Sequence, residues 1–252
     1  MFVIREASIT MQSEGVKVVS FSGIDGAGKS TQIDALCRYA RGLGFQVTVL
    51  TFWDNIVALS RFRERLSSKA FKGDQGIGSP DRPISRRDKN VTAWYITALR
   101  LCLYALDALS LGIAVSRFAD SGEGFIIFDR YIYDELANLP LQRWSIRGYL
   151  RLLLVFVPKP DVAILLDADP EIAAARKPEY PLEFVRRNRE AYLKLSRLVG
   201  GMTVVPPLSI GDATEMVEEV VSSKCLQREM NSLDFELQYP PSAASAKTST
   251  NT

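Results

Sequence analysis

The sequence predicts an α/β fold of three layers, in which about five parallel strands form a sheet with helices on both faces. Two observations predict it: short apolar runs alternate with longer stretches of helical periodicity, and a glycine-rich segment joins the first run to the first helix. Right-handed crossovers between such strands give a doubly wound parallel sheet. Ligands of this architecture bind at the carboxyl ends of the strands.

The predicted strands are apolar runs short enough to be buried on both faces. In chain order they are residues 16–21, 45–51, 124–128, 162–166 and 202–205. The apolar residues between these runs recur at helical spacing. The predicted helices are residues 29–43, 56–71, 90–119, 141–157, 170–177, 181–199 and 212–223. Residues 72–89, rich in glycine, proline and charge, are predicted to form a long mobile loop.

The segment between the first strand and the first helix matches the pattern G-x-x-x-x-G-K-[ST]. Its amides and the positive end of the helix point into one concavity that suits a phosphate chain. Lys29 can reach the β- and γ-phosphates, and the Ser30 hydroxyl can ligate Mg²⁺. The segment therefore predicts a site for a nucleoside triphosphate. Its residues are Gly23, Ile24, Asp25, Gly26, Ala27, Gly28, Lys29, Ser30 and Thr31.

A second candidate site follows the third strand, which ends in Asp129 and Arg130. An acid at this place, beside the glycine loop, can hold Mg²⁺ directly or through water. The guanidinium of Arg130 would then face the same site, where it matches an acceptor phosphate bidentately. A second interpretation stays open, in which these two residues only cap the strand or pair with each other.

Asp167, at the end of the fourth strand, competes with Asp129 for the metal. Asp169 and Pro170 follow it with the pattern of a helix start, an acid at the cap and proline at the first helical position. We therefore expect structural roles for Asp167 and Asp169.

Composition limits the chemistry and the partners. The 252 residues include no histidine, so carboxylates, cations and a hard metal ion must carry any chemistry. The net charge of +2 indicates neither nucleic acid nor a membrane surface as a partner. The three widely spaced cysteines predict neither a disulfide framework nor a zinc site, and with the lack of a secretory signal they predict a cytoplasmic protein.

One large domain is predicted over residues 16–225, between an N-terminal extension of residues 1–15 and a disordered tail of residues 226–252 rich in Ser, Thr, Ala and Pro. Residues 99–115 are apolar enough to consider as a membrane span. Because Arg100 and Asp107 interrupt them, we interpret them as a buried helix.

Three segments in this order resemble the thymidylate kinases, which are P-loop nucleoside monophosphate kinases. They are residues 21–32 (FSGIDGAGKSTQ), residues 129–137 (DRYIYDELA), and residues 160–171 with 184–195 (FVRRNREAYLKL), which are similar to the family's late strand, lid and following helix. The likeness covers about residues 16–205. It implies a P-loop kinase-type fold, ATP and Mg²⁺ as cofactors, and a small-molecule nucleotide acceptor, here dTMP. It also implies a homodimer, since related enzymes are commonly dimers.

The resemblance also implies roles for single residues. Lys29 and the loop amides would hold the donor, Asp25 would approach the acceptor sugar, and Arg130 would bind the acceptor phosphate. Arg100 would be an arginine of the acceptor-site helix. The catalytic residues would be Lys29, Asp129, Arg130 and Arg176.

The assignment of Arg176 depends on the loop. Some members carry an arginine after the loop acid, where this chain has Gly26. Such members supply the catalytic cation from the lid, here near residues 176–184, because a cation that closes over the transferred group speeds phosphoryl transfer. The lid candidates are Arg176, Lys177, Arg186, Arg187 and Arg189.

The chain departs from the family at the acceptor site and the lid, which is shorter than usual. Residues 52–55 read Phe-Trp-Asp-Asn instead of Arg-Glu-Pro-Gly, and Ile96 stands where the family has an aromatic that stacks on thymine. Trp53, Trp94 and Tyr95 can serve either core packing or substrate contact. Glu135 and Asn138 replace small polar residues and a tyrosine. Two alternatives therefore stay open: a kinase with a different small-molecule acceptor, and a slow nucleotide-binding regulatory module.

Overall fold

A parallel sheet forms the centre of the protein, and its strands are the apolar runs of the sequence. The computed structural model describes residues 15–52, 94–119 and 124–226. The five strands lie in the order β2-β3-β1-β4-β5. Their bounds are Val16–Ser22 for β1, Val47–Thr51 for β2, Gly124–Asp129 for β3, Val162–Leu166 for β4 and Met202–Val205 for β5. All five predicted strands are confirmed, with small differences at their ends.

The helices of the described residues begin and end at local signals. Helix α1 follows Gly28, whose φ of 91° turns the chain out of the loop. Helix α5 starts at Pro170, and the carboxylate of Asp169 accepts the first free amides. The bounds are Lys29–Gly42 (α1), Trp94–Ala119 (α2), Ile132–Leu136 (α3), Trp144–Phe156 (α4), Pro170–Arg176 (α5), Leu182–Val199 (α6) and Ile210–Val221 (α7), and the π-helical turn Ser222–Leu226 follows α7.

Helices cover both faces of the sheet, as the sequence predicts. Helices α2, α3, α4 and α6 pack on one face, in the core that contains Val18 and Ile126. Helices α1 and α7 pack on the other face, in the core that contains Val19 and Ile127. Neighbouring residues belong to different cores because successive side chains of a strand point to opposite faces. The three-layer α/β fold is thereby confirmed.

Two differences from the predicted helices have simple reasons. Helix α3 was not predicted, because five residues are too few for a helical period to stand out. The predicted helix at residues 56–71, the predicted loop at 72–89 and the first residues of the predicted helix at 90–119 lie outside the described residues.

Helix α2 is confirmed, but its interpretation as a buried helix is wrong for one of its faces. Tyr104 is buried in the core, whereas Leu109 on the opposite face is 60% exposed. Residues Leu101–Phe118 have a mean hydropathy of 1.5, and 22% of them are buried. By length and composition this stretch could cross a membrane, a test that core helices of water-soluble proteins also pass.

The register brings the candidate residues to one edge of the sheet. Phe21 of β1 pairs with Asp129 of β3, and Ser22 pairs with Leu165 of β4. Because the strands are parallel, the glycine loop after β1 emerges between the carboxyl ends of its two neighbours. Asp129 and the residue after β4 therefore flank the loop on opposite sides.

Candidate active site

The phosphate-binding loop packs tightly against the strand beside it. Gly23 has a φ of 144°, and a Cβ atom at this position would lie 2.5 Å from the carbonyl oxygen of Leu166. Only glycine accepts both the backbone conformation and the short approach. The main chain can therefore turn directly from β1 into the loop.

Lys29 lies beneath this loop. Its side chain is buried, and its Nζ donates hydrogen bonds to the carbonyl oxygens of Gly23 at 2.8 Å and Ile24 at 2.9 Å. Burial, together with the nearby positive charge of Arg130, lowers the pKa of the Lys29 amine from 10.5 to about 8. A polyphosphate in the loop would offer this amine stronger, anionic acceptors than the two carbonyl groups.

Arg130 lines the same cavity as Lys29 and follows β3 directly. Its φ of 69° is the only positive value at a non-glycine residue in the described part of the chain, and its N–H donates to the carbonyl of Phe21 at 3.0 Å. Such a conformation persists only where the surroundings enforce it, and it is typical of functional sites. The left-handed turn directs the guanidinium towards the loop rather than along the strand.

Two carboxylates hold this guanidinium. Arg130 Nη2 donates to Asp25 Oδ1, and Arg130 Nη1 lies 3.7 Å from Asp134 Oδ1. Burial would lower the pKa of Arg130, but Asp134 and Asp25 outweigh it and raise the pKa. Burial would likewise raise the pKa of Asp25, but Arg130, Lys29 and Lys177 outweigh it and lower the pKa. Both partners therefore stay ionised. The interpretation that Arg130 pairs with Asp129 is wrong.

A cavity of about 710 Å³ opens above the loop, a volume typical of a site for a small ligand. It brings together most of the residues that the sequence predicts. Those that line it are Asp25, Gly26, Ala27, Gly28, Lys29, Ser30, Thr31, Asp129, Arg130 and Arg176. The predicted residues Gly23 and Ile24 do not line the cavity, and their carbonyl oxygens accept the hydrogen bonds of Lys29.

Several residues of the predicted acceptor site fall outside the described part of the structure. They are Trp53, Asp54 and Asn55, together with the side chains of Trp94, Tyr95, Ile96 and Arg100. Phe52 is fully buried in the core. Its ring therefore serves packing at the place where the resemblance would put an arginine.

One wall of the cavity was not predicted from the sequence. Residues 205–210, which follow the sheet at the end of β5, line the cavity beside the loop. Gln32 of α1 holds this wall: its Nε2 donates to the carbonyl of Ile210 at 3.3 Å, and its Oε1 accepts from the hydroxyl of Thr214 at 3.1 Å. The rule that ligands bind at strand ends could have indicated this segment, because β5 ends there.

The lid cations fall into two groups. Arg186 pairs with Glu171, and Arg187 lies 3.2 Å from Glu183. Arg189 makes a bidentate pair with Asp167, at 2.6 and 2.7 Å. These three arginines are therefore engaged by carboxylates.

The other two cations, Arg176 and Lys177, line the cavity. Lys177 lies 3.3 Å from Glu179, and its charge reaches Asp25, whose pKa it helps to lower. Within the described part of the chain, Arg176 pairs with no carboxylate. Of the predicted candidates, these two side chains are the ones placed to reach a ligand.

Two acids after β4 have structural partners, as the sequence predicts. Asp169 Oδ1 accepts the amides of Glu171 at 2.9 Å and Ile172 at 3.1 Å, and thereby caps α5. Asp167 lines the cavity but is bound by Arg189 of α6. Within the described residues, Asp129 is therefore the acid at a strand end that no arginine or helix-cap amide engages.

The residues present fit Mg²⁺ that arrives with a nucleotide. The described residues contain no group of three or more His, Cys, Asp or Glu side chains that could hold a metal alone. Ser30, in the first turn of α1, and Asp129, at the end of β3, both line the cavity. Mg²⁺ typically takes one or two protein oxygens and completes its shell with phosphates and water. Two such ligands are therefore sufficient for this role.

The fold and the site together define a P-loop phosphotransferase. A phosphate-binding loop follows the central strand β1, the ammonium of Lys29 bonds to the loop carbonyls, and the guanidinium of Arg130 lines the same cavity. No protein-family profile matches this chain. The chain is 30% identical over 219 residues to a probable thymidylate kinase from Thermococcus gammatolerans, a match that covers 82% of this chain and 92% of that relative. It therefore belongs to the thymidylate kinase family.

Further comparisons agree with this assignment. A probable thymidylate kinase from Methanothermobacter thermautotrophicus is 28% identical over 191 residues, covering 74% of this chain and 84% of the relative. Among solved structures, the thymidylate kinase of Candida albicans superposes with a TM-score of 0.55 at 19% identity, over 83% of this chain and 92% of that one. This likeness supports the P-loop kinase fold independently of the sequence match.

Proposed function

We propose that this protein transfers the γ-phosphoryl group of ATP to dTMP with Mg²⁺ as the required metal. The observation that carries the proposal is the placement in one cavity of Lys29, at the start of α1, and Arg130, directly after β3. One cation serves a polyphosphate donor and the other an acceptor phosphate. Homology to thymidylate kinases supports this acceptor over the two alternatives that the sequence left open.

The loop and Lys29 bind the donor. The loop amides surround the β-phosphate, and the Lys29 ammonium exchanges its two carbonyl partners for phosphate oxygens. Ser30 and Asp129 would hold Mg²⁺, which neutralises charge on the donor phosphates. Residues 205–210 line the same cavity and form the wall on which the donor base packs.

Arg130 and Asp25 bind the acceptor. Arg130 presents its guanidinium to the acceptor phosphate, for which its planar donor set is suited. Asp25 lies beside it in the cavity and approaches the acceptor sugar. A phosphate monoester is already largely ionised at neutral pH, so its oxygen attacks without a general base. This agrees with a chain that has no histidine.

The lid supplies the remaining cation. Arg176 and Lys177 line the cavity at the end of α5. Closure of this segment would bring Arg176 to the transferred phosphoryl group, where positive charge stabilises the transition state.

A turnover screen tests the proposal. ATP-dependent release of ADP is measured with dTMP, dUMP, UMP, dCMP, dAMP and dGMP as acceptors, with and without Mg²⁺. We expect turnover that depends on both dTMP and Mg²⁺ and that is lost in Lys29→Ala. A broad panel is appropriate because the thymidylate kinase of Candida albicans is described as having broad substrate specificity. Purified protein that no nucleoside monophosphate stimulates would refute the proposal.

The remaining expectations stay predictions. We propose a cytoplasmic homodimer that acts on small nucleotides and has no nucleic acid or membrane partner. The supporting observations are the small net charge and the family membership.

A further inference from the structure

Asp134 is a buried carboxylate beneath the acceptor arginine. It lies in α3, directly after the Asp129-Arg130-Tyr131 turn, and only 4% of the residue is exposed. The resemblance and the sequence analysis assign it no role. A buried acid is costly unless hydrogen bonds and a nearby cation compensate its charge.

All recorded partners of this carboxylate are donors or cations. Oδ2 accepts the hydroxyl of Ser22 at 2.7 Å and the amide of Tyr131 at 3.1 Å. Oδ1 accepts the hydroxyl of Tyr192 at 2.6 Å and lies 3.7 Å from Arg130 Nη1. The four partners come from the end of β1, the turn after β3 and helix α6. Asp134 therefore connects the base of the phosphate loop, the acceptor arginine and the helix that follows the lid.

Asp25 accepts the direct hydrogen bond from Arg130, whereas Asp134 acts on Arg130 from a buried position at 3.7 Å. Of the charges that raise the pKa of Arg130 against the effect of burial, Asp134 has the largest influence. Asp25 faces the cavity, where an acceptor phosphate would compete with it for the guanidinium. Asp134 is buried below, so it can keep its hold on Arg130 while a ligand displaces Asp25.

We propose that Asp134 is a positioning residue that orients the Arg130 guanidinium towards the acceptor phosphate and, through Tyr192, couples this orientation to helix α6. The role in acceptor binding rests on the proposed function. The orientation of Arg130 does not, because it follows from contacts within the protein.

A purely structural role would need the hydrogen bonds of Asp134 but not its charge. In Asp134→Asn, the side-chain oxygen can still accept from Ser22 and Tyr131, while the amide donates to the Tyr192 hydroxyl, which can also accept. The substitution therefore keeps the cap of α3 and removes the negative charge beside Arg130.

The test compares D134N with the wild type in steady-state kinetics, donor titration and NMR. We expect the acceptor KM to rise about tenfold, with ATP affinity unchanged within about twofold. We also expect the guanidinium NMR signals of Arg130, identified by their absence in R130K, to shift and exchange faster with water. An acceptor KM and Arg130 signals equal to those of the wild type would overturn the inference.

A second variant decides the matter if D134N does not fold. Tyr192→Phe removes one hydroxyl from the buried network and leaves the ring. Ser196→Ala removes another hydroxyl of α6, whose hydrogen bond within the described residues goes to the carbonyl of Leu193 in the same helix. We expect Y192F, but not S196A, to raise the acceptor KM about threefold and to change the Arg130 signals. Identical behaviour of Y192F and S196A would overturn the coupling.

Failure of the proposed function and failure of the role of Asp134 would be distinguishable. Wild-type protein without acceptor-dependent turnover would refute the proposed function, and the NMR comparison would still test the orientation of Arg130. An active wild type whose acceptor KM and Arg130 signals D134N leaves unchanged would refute only the role of Asp134.

Discussion

A Cβ atom at Gly26 would lie 2.3 Å from the carbonyl oxygen of Ala173, so helix α5 packs directly on the phosphate-binding loop. Gly26 also has a φ of 85°, which side chains rarely adopt. The resemblance places an arginine at this loop position in some kinases. Here the backbone of α5 fills that space, which agrees with a catalytic cation supplied by Arg176 at the end of the same helix.

Gly26→Ala should therefore disturb both stability and donor binding. The positive φ alone costs about 1–3 kcal/mol in a non-glycine residue, and relief of the clash would move the loop away from α5. We expect a lower Tm and at least about tenfold weaker ATP binding, measured by thermal unfolding and calorimetric titration. The matched control is Gly148→Ala in α4, where an added Cβ meets no atom within 4 Å. A G26A protein that matches G148A in both measurements would contradict the tight contact.

Substitution of Lys29 and of Arg130 should separate donor binding from acceptor binding. Lys29→Ala should weaken ATP, and Arg130→Ala should weaken the acceptor. Each loses charge-assisted hydrogen bonds of about 1.5–3 kcal/mol, which corresponds to roughly ten- to a hundredfold in affinity. Both variants should lose turnover, and titration of each with ATP and with dTMP measures the difference. Unchanged dTMP affinity in R130A would show that the acceptor binds elsewhere.

Donor affinity should fall as the pH rises through about 8. The pKa of Lys29 in the unliganded protein is about 8, and only the ammonium form attracts a polyphosphate. Between pH 7 and pH 9 the ammonium fraction drops about tenfold, so the Kd of ATP should rise about tenfold, with proton uptake on binding at pH 8. Titration calorimetry at constant free Mg²⁺ measures both. Lys29→Met should abolish this pH dependence. A wild-type Kd of ATP that does not change between pH 7 and pH 9 would show that the pKa of Lys29 is not near 8.

Removal of the lid cation should slow chemistry more than it weakens binding. Arg176 lines the cavity and pairs with no carboxylate in the described part of the chain, so we expect Arg176→Ala to lower kcat about a hundredfold or more. The KM values for ATP and dTMP should change little. Arg187→Ala is the control, since Arg187 is exposed and paired with Glu183, and it should keep wild-type kcat. If R176A kept the wild-type kcat, as R187A should, Arg176 would not be the catalytic cation and Lys177 would be the lid candidate for that role.

The local sequence pattern was sufficient to predict the strands, the phosphate-binding loop and the cap of α5. An apolar run, a glycine at a left-handed position and an Asp-Pro helix start each act within a few residues, so neighbours in the chain reveal them. Helix α3 was missed because it is too short to show a period. The wall at residues 205–210 follows the predicted strand β5, but its contact with Gln32 joins residues that are far apart in the sequence.

The sequence by itself determined the layered α/β fold, the glycine-rich loop with Lys29, and the position of Asp129 and Arg130 at the end of a strand. Only the tertiary structure decided that Arg130 binds Asp25 and Asp134 rather than Asp129, that four of the five lid cations are paired with carboxylates, and that one face of α2 is exposed. The physical reason is the separation in sequence between the interacting residues. Backbone conformation and hydrophobic period depend on residues close together in the chain, whereas ion pairs and burial depend on which elements the fold brings together.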